Sequence, residues 1–366
     1  MKHYESVNEI DLTCDLWQRL AGAEKPIVLY GMGNGADKIL AVFAQYGIEA
    51  ADFFASDEFV RGQSFHGKTV LTYAQVCEKY EDFIIAVSFG SRLPEVLERI
   101  YALDGERELV IPDVPVVEDG EIFDLAFFEA HRTELAEVCD MLADIQSKRT
   151  FCDIIAYRLT GKLGYLRSHI VTPDEVYNDI LHADRITRAA DLGAYNGDSI
   201  RELAHYAPNL TQVTAMEPDV RTFRKLNEFI AGGIPYAVEA HNLAAWNDEC
   251  ELSFTAGGNR NSTAASNEAL KTGAKIKIVQ AARLDSIYEG DCDYIKYDVE
   301  GSEREALEGS RAVIARTHPR LLVSLYHRSG DLFRLPQMVR ELGYTKLYIR
   351  RYEYVPAWDL NLLAVE

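Results

Sequence analysis

The sequence predicts an α/β chain: two units built on parallel sheets, the smaller one first, joined by a helical connector. Three observations predict it. Strand-like and helix-like segments alternate over residues 26–118 and again over 187–366, the pattern of a parallel sheet covered by helices. In each unit an apolar run ends in a glycine turn that opens a helix, YGMGNGADK at 30–38 and DLGAYNGDSI at 191–200. Over 119–186 the alternation stops, and apolar residues recur at spacings of three and four, the period of a helix. The expected domains are therefore 1–118, 119–186 and 187–366.

Each element has its own justification. In the first unit PIVLYGMGNGADKILAVFAQYG reads as strand, turn and helix, and IEAADFFASD as a second strand. GKTVLTYAQVCEKY gives a short strand or turn and a helix, DFIIAVSFGSRLPEVLERIYAL strand, turn and helix, and ELVIPDV closes the unit. The connector LAFFEAHRTELAEVCDMLADIQSKRTFCDIIAYRLTG is helical throughout, and no low-complexity linker follows it. A packed interface is expected rather than a flexible tether. In the second unit the pattern predicts strands at 189–194, 212–217, 236–242, 250–255, 276–281, 292–298, 320–326, 346–352 and 360–365. Helices are expected at 198–206, 219–231, 302–314 and 332–342. The last two strands have no helix between them and should pair as an antiparallel hairpin at the sheet edge.

Composition bounds the function. The 366 residues, 48% of them hydrophobic, suffice for two domains with sizeable cores. A formal net charge of -20 argues against nucleic-acid or anionic-membrane partners. The six cysteines form no C-x-x-C pair, so no metal or redox motif is expected and the thiols read as free in a reducing compartment. The N-terminal stretch carries Glu5, Glu9, Asp11 and Asp15 and does not read as a signal peptide. With no long apolar run, a cytoplasmic location is the expectation.

Open α/β sheets hold ligands at the carboxyl edge of their strands. A dinucleotide site wants G-x-G-x-x-G, and in the second turn Ala194 stands where the second glycine belongs. A ligand without a diphosphate fits better, and S-adenosylmethionine is one. The helix N-terminus and the turn would hold its carboxylate, and Asp191 would accept hydrogen bonds from its ammonium. Glu217, ending VTAMEPD, is placed for both ribose hydroxyls, and Asn242 for the adenine edge. Asp298 and Glu300 end the strand DYIKYDVEG two residues apart, hence on one face. They read as an active-site rim or, more plainly, as helix-start acids. His327 in SLYHRSGD lies at the same rim, and an ordinary histidine pKa suits a general base. Asp298 and Glu300 are the alternatives for that role, or they orient the acceptor hydroxyl. No third metal ligand is evident from spacing, so no metal is expected. The glycine- and serine-rich TAGGNRNSTAAS, 255–266, reads as an ordinary connection or as an acceptor lid using Arg260.

With DLGAYNGDS, AMEPD, HNLAAW followed by ELSF, ARLDSI, KYDVEGSEREALEG and HPRLLVSLYH, residues 187–366 resemble the FkbM family of S-adenosylmethionine-dependent methyltransferases. The resemblance implies a Rossmann-like class I methyltransferase sheet with an antiparallel last strand, and O-methylation of sugars or polyketide-type products. It implies cofactor contacts at Asp191, Gly193, Asn196, Gly197, Glu217 and Asn242, with Ala194, Asp198 and Pro218 in the same turns. It matches Asp298 and Glu300 to the DVEG acids. Tyr195 and Asp198 depart from the family, which often has Asn and an aromatic residue in this turn.

In the first turn Gly31, Gly33 and Gly35 form G-x-G-x-G, with Ala36 near the last position and Asp57 past the second strand. IVLYGMGN, FASDEFVRGQSFHGKTVLT and IIAVSFG resemble the nucleotide-sugar-binding, Rossmann-like N-terminal domain of sugar O-acyltransferases. That implies a nucleoside diphosphate sugar at Gly31, Gly33 and Asp57; the alternative is a fold kept for packing or dimerisation. The expectation for the whole is a methyltransferase acting on a hydroxyl of a sugar, glycan precursor or related metabolite. Its rivals are a nicotinamide-dependent oxidoreductase on a sugar nucleotide and a non-catalytic nucleotide-sugar binder. No Tyr-x-x-x-Lys pair supports the oxidoreductase, since Tyr73 is followed by Val76 and Cys77. An acidic surface leaves a specific homodimer open.

Overall fold

A computed structural model describes residues 2–117, 120–255 and 276–366. The first unit contains β1 (Ile27–Tyr30), β2 (Ala50–Phe54), a small hairpin β3 (Ser64–Phe65) and β4 (Lys68–Thr69), β5 (Ile84–Val87) and β6 (Glu108–Val110). Its main sheet runs β2-β1-β5-β6 with every pair parallel. IVLY and IIAV are buried at every residue, as a sheet covered on both faces requires. The helices Asn34–Tyr46, Tyr73–Lys79 and Pro94–Glu106 supply the cover.

The connector forms the helices Leu125–Ala130, Arg132–Met141, Ile145–Thr160 and Leu163–Leu166, then a π-helical turn at Glu175–Ile180. Asp124 and Asp144 cap two of them by accepting hydrogen bonds from the N–H groups of Phe127 and Ser147. From Phe151 to Thr160 every residue of the longest helix is buried, so it is a central post rather than a surface helix. It packs against β15 (Lys346–Arg351), labelled here ahead of its turn in the second sheet. Arg350 donates to Asp144 and Glu175 at 2.7 Å each, and the N–H of Ala143 donates to the Leu347 carbonyl. Residues of both units and the connector share one apolar core, so the interface is packed, as expected.

The second unit adds β7 (Arg188–Leu192), β8 (Gln212–Met216), β9 (Ala237–His241), β10 (Ala244–Ala245), β11 (Cys250–Thr255), β12 (Ile276–Ala282), β13 (Tyr294–Tyr297), β14 (Arg320–Ser324) and β16 (Leu360–Val365). The seven-stranded sheet is ordered β15-β16-β14-β13-β7-β8-β9. β16 is antiparallel to both neighbours. The terminal hairpin forms as expected, but it is not simply added at the edge: the last strand inserts between β14 and β15, leaving β15 outermost. Two further differences appear. The strands at 250–255 and 276–281 do not join the main sheet; they pair with each other and, through β12, with β10. The helix expected at 302–314 breaks into Glu303–Glu308 and Arg311–Thr317. Gly309 lies at the break, where an added Cβ would stand 1.9 Å from the Trp246 carbonyl oxygen. The segment 256–275, with Arg260 and the proposed lid, lies outside the described residues.

Candidate active site

The second glycine turn follows the carboxyl end of β7. Gly193 has φ +88° and Gly197 φ +82°, the left-handed region that glycine enters without steric cost. A Cβ on Gly193 would stand 1.9 Å from the Asp298 carbonyl oxygen, and one on Gly197 would stand 2.4 Å from Phe229. Tyr195 also has positive φ, +48°. The N–H groups of Gly193 and Ala194 both donate to the Met216 carbonyl at 3.0 Å, which ties the turn to β8. Asn196 accepts hydrogen bonds from Arg201 on the following helix, and Asp198 opens that helix.

Asp191 is buried, and its Oδ2 accepts a hydrogen bond from the Ser199 hydroxyl at 2.5 Å. Its Oδ1 is buried with no hydrogen-bond partner. Lys296 stands 3.6 Å from that oxygen and 3.5 Å from Asp298. Burial raises the Asp191 pKa, against the Lys296 charge. Burial pulls Lys296 down, but the charges of Asp191, Asp298 and Asp198 raise it overall.

Glu217 just beyond β8 is also buried. It accepts hydrogen bonds from the N–H groups of Tyr195 (3.0 Å) and Asp219 (2.8 Å). Burial nevertheless outweighs those bonds and pushes its pKa up to about 7. The Asn242 amide donates to the carbonyls of Glu217 and Pro218 at 2.8 and 3.1 Å. Its donors therefore pin the Glu217–Pro218 backbone and are not presented to an adenine edge.

The DVEG segment turns sharply, with Glu300 at φ +55° and Gly301 at φ +93°. Asp298 Oδ1 accepts a hydrogen bond from the Tyr326 hydroxyl at 2.9 Å. Burial raises Asp298, but the charges of Lys296 and His327 and the bond from Tyr326 leave it below its ordinary value. Glu300 is raised by burial, against the opposing pull of His327.

His327 does not have the environment of a base. It is 1% exposed, with Nδ1 2.9 Å from Glu303 and Nε2 3.6 and 3.7 Å from Glu300 and Asp298. Burial lowers its pKa, but the Glu303 and Glu300 carboxylates hold it well above the ordinary histidine value. The ring lies among three carboxylates, and neither ring nitrogen makes a hydrogen bond that meets the usual geometry.

One cleft of about 1150 Å³ is lined by part of this set; Asp191, Ala194, Asn196, Gly197, Asn242 and His327 are not among its lining residues. Gly193, Asp198, Glu217, Pro218, Asp298 and Glu300 line it from the second unit. The first glycine turn lines its other wall through Gly33 and Gly35, with Ser88, Phe89 and Gly90 beside them. Gly31 is not part of that wall; its positive φ and the Ser88 side chain beside it mark a packing position. Asp57 is exposed and does not line the cleft, because the short helix that it begins at Asp57–Phe59 carries it away. Trp358 closes one end, packed so tightly that a Cβ on Gly90 would stand 2.4 Å from its ring.

Sequence reasoning missed Lys296, Ser199, Tyr326 and Glu303. Lys296 carries a readable signal, since it alternates with Asp298 on one strand face. The buried Glu303 accepts hydrogen bonds from the N–H groups of Val299 (2.9 Å) and Gly301 (3.3 Å). A helix-start acid is the signal for it.

A sheet in this order, with its last strand antiparallel and a glycine turn after the first strand, is a Rossmann-like class I methyltransferase fold. Residues 191–346, within the second unit, match the family model of the methyltransferase FkbM domain. The structure of methyltransferase FkbM from Methylobacillus flagellatus KT is similar over 93% of this chain and 90% of that one, with 17% identity and a TM-score of 0.69. That likeness is one of fold, and it extends over both units. An rRNA methylase from Streptococcus thermophilus is 13% identical over 54% of this chain and 98% of its own, with a TM-score of 0.35. Aeropyrum pernix fibrillarin with natively bound S-adenosyl-L-methionine is 10% identical over 50% of this chain and 68% of its own, with a TM-score of 0.29. No curated protein sequence matches the chain.

Proposed function

We propose that the chain transfers a methyl group from S-adenosylmethionine to a hydroxyl of a sugar or sugar-containing acceptor. The observation that supports it is the buried Asp191 Oδ1 beside the glycine turn, which has no hydrogen bond and whose nearest cation, Lys296, stands 3.6 Å away. Buried carboxylate oxygens are rarely left this way without a ligand to meet. An ammonium group on the donor's amino-acid tail would satisfy it. Glu217, at the next strand end, would take the ribose hydroxyls, and the turn after Gly193 would take the carboxylate. The donor, when bound, supplies a methyl group made electrophilic by its sulfonium.

The protein's own part is alignment and proton handling. Lys296, Tyr326 and His327 hold the Asp298 carboxylate charged and fixed, so that it can orient the acceptor hydroxyl. Glu300 lines the cleft with a raised pKa, and it takes the hydroxyl proton. His327 is a positioning residue between the two carboxylates. Alignment of this kind supplies roughly 7–11 kcal/mol of a barrier. The acceptor enters along the first unit, between Gly33 and Trp358. Arg92, exposed on that wall, meets an anionic substituent.

Calorimetric titration with S-adenosylmethionine, its demethylated product and NAD tests the reading. Micromolar binding of the first two and none of NAD is expected. Binding of NAD alone would overturn it in favour of the oxidoreductase. Donor binding without turnover on any hydroxyl acceptor would leave the non-catalytic binder.

A further inference from the structure

We propose that His3, Asp153 and His169 form a binding site for a divalent transition-metal ion of the zinc class, separate from the methyl-transfer cleft. The three residues come from different segments: the N-terminal arm, the buried post Ile145–Thr160, and the stretch between the helix Leu163–Leu166 and the π-helical turn Glu175–Ile180. One ligand-type atom from each lies within 4.8 Å of the other two. His3 Nδ1 stands 2.8 Å from Asp153 Oδ2, and His169 Nε2 stands 3.4 Å from the same oxygen. The 3.4 Å spacing suits two ligands of one ion about 2.0–2.2 Å from each, and the 2.8 Å contact is a His3–Asp153 hydrogen bond that the ion would replace.

Asp153 is 2% exposed, and its Oδ1 is buried with no hydrogen-bond partner. His169 Nε2 is likewise buried without a hydrogen bond. A buried carboxylate with an open oxygen beside an unbonded imidazole nitrogen asks for a cation. His169 is held facing it at φ +54°, a conformation that non-glycine residues adopt at a cost. The His3 and His169 rings meet edge to face, with centroids 5.9 Å apart. A cavity of about 320 Å³ lies against the pair, lined also by Glu5, Ser168 and Arg149, and leaves room for the ion's remaining water ligands. The Arg149 cation there is already paired with Glu5.

The donor set selects the metal. Imidazole suits zinc, copper, iron and nickel, whereas calcium and magnesium want oxygen alone. None of the three residues lines the methyl-transfer cleft, so the ion would clamp the N-terminal arm onto the post rather than take part in transfer.

The test is calorimetric titration of the chelator-treated full chain with Zn²⁺, repeated on His3→Gln and His169→Gln. Both variants are checked for folding by near-ultraviolet circular dichroism. One equivalent should bind, and either substitution should weaken it by at least about 10-fold, since losing a mere outer partner of a ligand costs that much. A rise in the wild-type melting temperature with Zn²⁺, absent from His3→Gln, should accompany it. His3 is the half-exposed member, so that variant should fold. No Zn²⁺ binding by the wild type, or undiminished binding in either folded variant, overturns the proposal. Neither result bears on methyl transfer.

Discussion

Gly35 in the first glycine turn and Gly193 in the second meet the same kind of neighbour. A Cβ on Gly35 would stand 2.1 Å from the Ser88 carbonyl oxygen, and one on Gly193 would stand 1.9 Å from that of Asp298. Ser88 follows β5, which pairs with β1, and Asp298 follows β13, which pairs with β7. In both units glycine lets the turn close onto the end of the adjacent strand. The carboxylates are what differ. The second turn has Asp191 and Glu217, both buried, whereas the first has Asp37 and, beyond its second strand, Asp57, both exposed. Glycine spacing therefore reports how closely the chain packs, and the buried acids are what set the second turn apart.

The largest effect should come from filling the two close approaches. Gly193→Ala puts a methyl group on a main-chain oxygen at positive φ, and should cost on the order of 3 kcal/mol or more by urea denaturation. Gly35→Ala meets an equally close oxygen and should also destabilise. Only Gly193→Ala should abolish donor binding in the protein that remains folded. Equal loss of donor binding in both variants would break the comparison.

Glu217→Ala comes next. It should weaken S-adenosylmethionine binding by more than about 1.5 kcal/mol, the lower range for hydrogen bonds to charged groups. Unchanged affinity in the folded variant would remove Glu217 from the site. The pH dependence sharpens this. With its folded pKa raised from 4.5 to about 7, the Glu217 contribution to stability is present below 4.5 and lost as pH rises through about 7. Donor affinity should run the other way and increase over the same window, because the ribose hydroxyls donate to the charged carboxylate. Glu217→Gln should flatten both profiles.

The smallest effect belongs to Gly33, where an added Cβ meets nothing within 4 Å. Gly33→Ala should leave stability within about 0.5 kcal/mol while raising the acceptor KM in a turnover assay. An unchanged KM would mean that the first turn serves packing alone.

Much of this molecule is legible in its residues. Apolar runs such as IVLY and AADL read as strands, and the helix expected at 198–206 forms with those bounds. The break of the 302–314 helix at Gly309 was hidden, because the Trp246 carbonyl that Gly309 meets lies far away in sequence. Lys296 could be placed on the Asp298 face, but its approach to Asp191 depends on the register in which the two residues pair. His327 was legible as a rim residue, but its carboxylate neighbours were not. The carboxylate that decides its charge, Glu303, reaches it only after the DVEG turn folds back.

The sequence by itself determined the class of fold, the two glycine turns and the acids at their strand ends, because hydrophobic period and turn chemistry are local. Tertiary structure alone decided that both turns face one cleft, that β16 lies inside its sheet, and that three carboxylates surround His327. It alone brought His3 to Asp153, 150 residues away. These depend on burial and on charge between segments distant in the chain, and neither is set by the residues nearby in sequence.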